Sequence, residues 1–129
     1  MPIEFRNPST VAKPASRYSH NAIVPAGARW LHVSGQVGAA PDGTVAADFA
    51  GQADQVMRNL TACLVDAGMG WGDVVKLNAF LCRQSDVPAW RELRVKHMGH
   101  AAPASTLLVV AGLASPQYLI EVEVIAAKA

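Results

Sequence analysis

The sequence has few charged and few aromatic residues, and its two signs of charge nearly cancel. Of the 129 residues, 16% are charged and 6% are aromatic, and the formal net charge is +1 at pH 7. So small a net charge gives no electrostatic argument for binding to nucleic acid or to a membrane surface. Apolar residues make up 51% of the chain, which is enough for one hydrophobic core. The length is that of a single domain spanning residues 1–129.

Cysteines, targeting segments and familiar catalytic motifs are also scarce. Cys63 and Cys82 fit no metal-binding or redox spacing, so each is predicted to pack as a small apolar residue. The N-terminus has no basic region followed by an apolar run, and no apolar segment is long enough to cross a bilayer. Both observations favour a soluble, cytoplasmic protein. Walker, GxGxxG, GxSxG, HExxH and CxxC motifs are missing, so no metal or nucleotide site is expected.

The last quarter of the chain carries the strongest strand pattern. Residues 106–111 and 118–126 are rich in apolar and β-branched side chains, and residues 112–117 contain turn formers. We therefore predict two strands joined by a short turn. Because side chains alternate across a strand, the second strand has a fully apolar face, formed by Ile120, Val122, Val124 and Ala126. Its other face carries Glu121 and Glu123 beside Leu119 and Ile125.

These two carboxylates allow two interpretations. Antiparallel sheets often have one polar face, so the glutamates are explained if that face meets solvent. Alternatively, a carboxylate within an otherwise hydrophobic strand lines a cleft or a subunit interface, where it must be paired or hydrated. The pattern by itself favours the solvent-facing interpretation.

The remaining segments predict an α+β domain with the order β-β-α-β-α-β-β. Residues 1–17 contain three prolines and are expected to be an extended lead-in, followed by strands at 18–25 and 29–37. Asp48 is a candidate N-cap for a helix that runs to Ala67 and stops at Gly68. A strand at 73–81 has Val75, Leu77, Ala79 and Leu81 on one face, and a second helix runs from Asp86 to Gly99.

Two helices of this length can cover one face of one sheet. The other sheet face still carries leucine and isoleucine, and its burial against copies of the same chain predicts a homo-oligomer.

A few polar positions are candidates for function. Gly35 within a strand indicates a bulge or a close approach of the backbone to another group. His20 and His32 are predicted on neighbouring strands and could face one cleft, although surface or packing roles are more common. A basic stretch on the second helix is better explained as a solvated face than as an RNA-binding patch; it consists of Arg91, Arg94, Lys96 and His97.

Several segments, taken together and in order, resemble the RidA superfamily, also called the YjgF family or the endoribonuclease L-PSP family. No single segment is diagnostic, but the set covers nearly all of residues 14–128. The matching segments are 18–22 (YSHNA), 33–36 (VSGQ), 52–60, 67–76, Pro103-Ala104 and 119–126 (LIEVEVIA).

This resemblance implies a chorismate-mutase-like fold assembled as a homotrimer, with the sheets in a central barrel and a cleft at each subunit interface. The best-known activity of the family is the hydrolysis of small enamines and imines to keto acids and ammonia, without a metal or cofactor. Some members are reported as ribonucleases, and others have no settled activity.

The resemblance also assigns expectations to individual residues. Glu121 matches the glutamate thought to orient the attacking water, Tyr18 matches a tyrosine that lines the cleft, and Gly35 lies on a strand whose backbone meets the ligand. Ser105 stands where family deaminases have an arginine that holds the substrate carboxylate. A hydroxyl cannot replace that charged, two-pronged group. Arg91, where many members have asparagine, is the predicted substitute.

Two accounts of the cleft follow, with a third disfavoured. In the first, the protein hydrolyses an imine or enamine, with Glu121 as general acid and base and Arg91 supplying the positive charge. In the second, it binds a small metabolite without turnover, through the Ser105 and Thr106 hydroxyls and backbone N–H groups. Ribonuclease activity is disfavoured because no histidine pair at a cleft and no strongly basic surface is evident.

Overall fold

The computed structural model describes residues 2–129, which form six strands and two α-helices. In chain order these are β1 (Glu4–Arg6), β2 (Asn21–Ile23), β3 (Arg29–Val37), α1 (Phe49–Asp66), β4 (Val74–Leu81), α2 (Val87–Met98), β5 (Ala104–Val109) and β6 (Ile120–Lys128). The predicted α+β class and order of elements are confirmed, with the short β1 as an addition. Among the described residues, no helix is long and apolar enough to cross a membrane.

The main sheet has four strands in the order β3-β6-β4-β5. β6 is antiparallel to both β3 and β4, whereas β5 is parallel to β4. The prediction that the last two strands are joined by a short turn is therefore wrong. Since α2 forms the crossover that makes β5 parallel to β4, the chain must pass the end of β4 before it returns as β6. Residues 110–119 make this longer connection.

The N-terminal segment forms a second, two-stranded sheet. β1 pairs antiparallel with β2, with Phe5 opposite Ala22, so the predicted extended lead-in contains one short strand. Because β2 pairs with β1 and not with β3, the placement of His20 and His32 on neighbouring strands is also wrong. The His20 ring bonds to the Ala12 carbonyl at 2.6 Å, and His32 lies against the ring of Trp30.

Side-chain alternation on the two central strands defines the core between the sheet and the helices. On β6 the predicted apolar face is confirmed, since Ile120, Val122, Val124 and Ala126 are at most 1% exposed. On β4 the buried face begins with Val74 and not with Val75. A register shift between Val74 and Lys76 moves the alternation by one residue.

Both helices begin and end close to the predicted positions. The Asp48 carboxylate accepts a hydrogen bond from the Gly51 N–H at 3.2 Å, and α1 stops before Gly68, which has a φ of +71°. Its buried side is apolar except for Gln52, while Cys63 and Cys82 are free and only half-buried. At the start of α2, the Asp86 carboxylate accepts from the Arg83 side chain at 2.8 Å and not from a helix N–H.

Gln52 is the buried polar link between α1 and the loops that flank the sheet. Its side chain is 1% exposed. The Nε2 group donates to the carbonyl oxygens of Ala46 at 2.9 Å and Gln117 at 2.8 Å, and Oε1 accepts from the Leu119 N–H at 2.8 Å. One side chain thus satisfies three backbone groups and fixes the point where the chain enters β6.

We expect Gln52→Met to lower the free energy of unfolding by about 2–4 kcal/mol, because it removes the three hydrogen bonds of a buried amide while preserving side-chain volume. Gln55→Met is the matched control, since half-buried Gln55 bonds only to the Asn59 side chain, and its loss should cost about 1 kcal/mol or less. Urea denaturation of both variants measures the difference. Equal costs would show that the three bonds of Gln52 do not stabilise the fold.

Candidate active site

A cavity of about 260 Å³ lies between the N-terminal segment, α2 and β5. We call it the α2 cavity. It is lined by Ala15, Ser16, Tyr18, Trp90, Arg91, Arg94, Ser105 and Leu107. Three of the predicted site residues, Tyr18, Arg91 and Ser105, therefore lie around one space. A second cavity of about 320 Å³ lies near the chain termini, with Asp73 and Lys128 as its charged side chains, and contains none of the predicted residues.

Backbone contacts hold the N-terminal segment against α2 and β5. The Ser19 N–H donates to the Pro103 carbonyl at 3.1 Å, next to a parallel bridge between Ser19 and Ala104. The Arg17 guanidinium donates to the Gly99 carbonyl at the end of α2, at 2.6 Å. These contacts place Tyr18 beside Ser105 on the wall of the α2 cavity.

Arg94 is the most buried charged group of the cavity. Trp90, Arg94 and Met98 recur every four residues, so α2 turns all three inward, and Arg94 is 5% exposed. Its Nη1 group donates to the Ser105 hydroxyl at 3.2 Å, and its guanidinium carbon lies 6.0 Å from the centre of the Trp90 ring. The predicted solvated basic face of α2 is therefore wrong for Arg94.

The second amino group of Arg94 has no hydrogen-bond partner among residues 2–129. Its Nη2 atom is buried and unsatisfied, and burial lowers the pKa of the guanidinium from its usual value. A guanidinium still carries its charge at neutral pH, so the cavity contains a buried cation with a free donor. Such a group is costly to fold around unless an anion offsets it.

Glu121 and Gly35 meet on the opposite face of the sheet. Glu121 points away from the helices because its neighbours Ile120 and Val122 point into the core. β3 has its register shift between Val33 and Gln36, so Gly35 lies in the predicted bulge. A Cβ atom at Gly35 would overlap the Glu121 carboxylate, so the glycine leaves the space that the carboxylate occupies.

Thr106 also lies on the face that carries Glu121. It follows Ser105 on β5, so its side chain points to the other side of the sheet. Its hydroxyl accepts a hydrogen bond from the Lys76 ammonium group at 2.9 Å. Thr106 is therefore separated from the α2 cavity.

The sheet thus divides the predicted site residues into two groups. Tyr18, Arg91 and Ser105 line the α2 cavity, which has no carboxylate among its lining residues. Glu121 lies across the sheet with Gly35. Any site that uses both Glu121 and the α2 cavity must therefore take them from two copies of the chain.

Arg94 and Trp90 are the site residues that sequence reasoning missed. Their spacing of four residues, continued by Met98, is the signal that places them on one helical face. The charge of Arg94 favours a position of its side chain in solvent, and a short helix gives only a weak amphipathic pattern.

His97 of the second helix pairs with a carboxylate of the first helix. His97 Nε2 bonds to the Asp54 carboxylate on α1 at 2.8 Å, and Arg58 bonds to the other oxygen of Asp54 at 2.8 Å. Mainly through the His97 hydrogen bond, these contacts lower the pKa of Asp54. Within residues 2–129, no group of three or more histidine, cysteine, aspartate or glutamate side chains is placed to hold a metal ion.

Comparisons with known proteins agree on one family. The model of the family described as endoribonuclease L-PSP matches residues 9–128. A RutC family protein of Pyrococcus horikoshii is 32% identical over 118 residues, covering 90% of each chain. The Rid-family protein YyfB of Yersinia pestis has a structure with a TM-score of 0.89 at 30% identity, covering 99% of this chain and 100% of that one. RidA from an Antarctic Psychrobacter has a TM-score of 0.73 at 31% identity, covering 88% and 89%.

Replacement of Gly35 and of Gly38 by alanine should have different effects on stability. We expect Gly35→Ala to displace the flexible Glu121 carboxylate and to cost about 1 kcal/mol of stability or less, because a side chain can move aside. Gly38→Ala should cost about 1–3 kcal/mol or more, because its Cβ would lie 2.6 Å from the Gln52 Cα in the backbone of α1.

Urea denaturation ranks the two variants, and the NMR chemical shifts of the Glu121 side chain report whether its surroundings change. If Gly35→Ala is the more damaging change, or if the Glu121 chemical shifts are the same as in the wild type, the close packing of Gly35 on Glu121 is refuted.

Proposed function

The chain belongs to the RidA superfamily, the endoribonuclease L-PSP family, and on that basis we propose that it hydrolyses a small imine or enamine that carries a carboxylate, releasing ammonia. An enamine first takes up a proton at carbon and loses one from nitrogen, which converts it to the imine. Water then adds to the C=N carbon, the C–N bond breaks, and a keto acid and ammonia are released. The proposed reaction uses neither metal nor cofactor.

The unpartnered Nη2 group of Arg94 is the observation that supports this function most strongly. A carboxylate in the α2 cavity can accept a hydrogen bond from this group and a second one from the Ser105 hydroxyl, which is already held by Nη1. The positive charge that the family places on β5 is supplied here from α2. Ser105 then orients the guanidinium, and the Tyr18 ring forms the adjacent wall.

Glu121 is the proposed general acid and base. Its carboxylate takes a proton from the attacking water and returns one to the leaving nitrogen. Because Glu121 faces away from the α2 cavity of its own chain, it reaches the substrate from a neighbouring subunit. This arrangement requires an oligomer, and the assembly that we propose is the homotrimer with a central barrel and with clefts between subunits.

The open face of the sheet supports such an assembly. Besides Glu121 and Glu123, it carries apolar side chains that stay partly or largely exposed in the single chain, namely Phe80, Leu108 and Ile125. An apolar face of this kind is typical of a surface that is covered by another subunit. Copies of the chain that cover this face also bring Glu121 to a subunit boundary.

Ribonuclease activity has less support. The α2 cavity has no histidine among its lining residues, and the net charge of +1 provides no basic surface for a phosphate backbone. Binding of a small anion without turnover uses the same Arg94 contact and differs from the proposed function only in the role of Glu121.

The role of Arg94 predicts opposite effects on stability and on binding. We expect Arg94→Met to raise the free energy of unfolding by about 1–3 kcal/mol, because it removes a buried unsatisfied donor. The same variant should raise the KM for an imino acid by about ten- to a hundredfold, since it loses charged hydrogen bonds to the carboxylate.

Lys96→Met is the control. It removes a charge from an exposed position of the same helix that does not line the cavity, so its effect on stability should stay within about 0.5 kcal/mol. Denaturation and ammonia-release assays give both quantities. A loss of stability in Arg94→Met with an unchanged KM would show that Arg94 is a structural residue.

The role of Glu121 predicts that Glu121→Gln lowers kcat by about a hundredfold or more, because general acid–base catalysis contributes about 10²–10⁴ in rate. The amide is of equal size, so the mass of the assembly by light scattering should remain that of three chains. Glu123→Gln, on the same face of β6, is the matched control and should retain most of the activity. Equal activity in Glu121→Gln and Glu123→Gln would exclude the proposed catalytic role.

A further inference from the structure

The α2 cavity contains two arginines, whereas a single carboxylate needs only one. Arg91 and Arg94 both line it. Their separation of three residues places them on the same face of α2, with Cβ atoms roughly 5–6 Å apart. Like charges at this spacing slightly destabilise a helix. A negative charge close to both arginines would therefore stabilise the pair.

Among the residues that the structure describes, no acidic side chain forms an ion pair with Arg91 or Arg94. The ion pairs among residues 2–129 use Arg6, Arg58, Arg83 and His97 as their positive partners, and neither Arg91 nor Arg94 is among them. Arg94 is buried with a free Nη2 group, and Arg91 is exposed. One positive charge is therefore deep in the cavity and the other lies at its rim.

The other lining groups indicate how a ligand lies between these charges. Trp90 and Leu107 provide apolar surface for a short carbon chain, while Ser16 and Tyr18 provide hydroxyl groups. The volume of about 260 Å³ is just below the range of about 300–1,000 Å³ that is usual for drug-sized ligands. A molecule of four or five carbons fits this space.

We propose that the ligand carries two carboxylates, one held by Arg94 and Ser105 in the interior and the other held by Arg91 at the rim. This inference rests on the proposed function and narrows its substrate class to imino acids with an acidic side chain. In that case 2-iminoglutarate and water give 2-oxoglutarate and ammonia, with Arg91 selecting for the second carboxylate.

Product binding tests this inference independently of turnover. Isothermal titration calorimetry compares 2-oxoglutarate with 2-oxovalerate, which has the same chain length but only one carboxylate. At low ionic strength we expect 2-oxoglutarate to bind the wild type about five- to tenfold more tightly, and we expect the difference to shrink as salt is added. Arg91→Gln should abolish the difference and Arg91→Lys should restore part of it.

Lys96→Gln is again the control, because it removes one positive charge from α2 outside the cavity, and it should keep the wild-type difference. The inference is overturned if the wild type binds both keto acids equally, if it binds neither, or if Arg91→Gln retains the preference. A parallel assay of ammonia release from imino acids made in situ by an amino-acid oxidase separates the two proposals. If the protein releases ammonia but does not prefer imino acids with an acidic side chain, the proposed function holds and the present inference is overturned. If it binds 2-oxoglutarate preferentially but releases no ammonia from any imino acid, the proposed function is overturned and the protein is a dicarboxylate receptor.

Discussion

The alternation of side chains on β6 is the constraint on which the rest of the structure depends. β6 lies between β3 and β4, so every second residue must enter the core under the helices, and every other residue must leave it. Ile120, Val122 and Val124 are consequently buried to 1% exposure or less. Glu121 is forced onto the opposite face, away from the α2 cavity of the same chain. A packing rule thus dictates that the proposed acid–base group and the proposed anion site belong to different subunits.

Arg94 provides the second organising feature, and we expect its burial to cost stability. Its burial lowers the pKa of the guanidinium, and one of its amino groups is left without a partner. Departures from the packing and hydrogen-bonding rules of this kind are expected at functional or strained sites. The serine at position 105 is explained by the same geometry, because its small side chain leaves room for the guanidinium from α2 and accepts one of its hydrogen bonds.

Most of the fold could be predicted from the sequence because its signals are local. The N-cap at Asp48, the stops at Gly68 and Gly99 and the alternation on β6 depend on neighbouring residues only. Features that depend on residues far apart in the chain were not predicted from the sequence. The pairing of β5 with β4, and not with β6, depends on the path of the chain across the sheet. The one-residue shift from Val75 to Val74 comes from a bulge that hydrophobic alternation does not show.

The candidate site was predictable to a smaller extent. Tyr18 and Ser105, which the family resemblance assigns to a cleft, line one cavity, and Gly35 lies beside Glu121. The buried Arg94 was not expected, because a charged residue on a short amphipathic helix is ordinarily placed in solvent. Only the partners that surround it in three dimensions, Trp90 and Ser105, account for its burial.

The most direct test of the central claim, that Arg94 is the anion-binding group of a site shared between subunits, is a crystal structure of the protein with a bound 2-oxo acid. We expect a carboxylate oxygen of the ligand to lie about 2.7–2.9 Å from Arg94 Nη2, with the carbonyl carbon facing Glu121 of a neighbouring copy. A ligand bound elsewhere, with Nη2 still unpartnered, or an α2 cavity closed to every other copy of the chain, would contradict this claim.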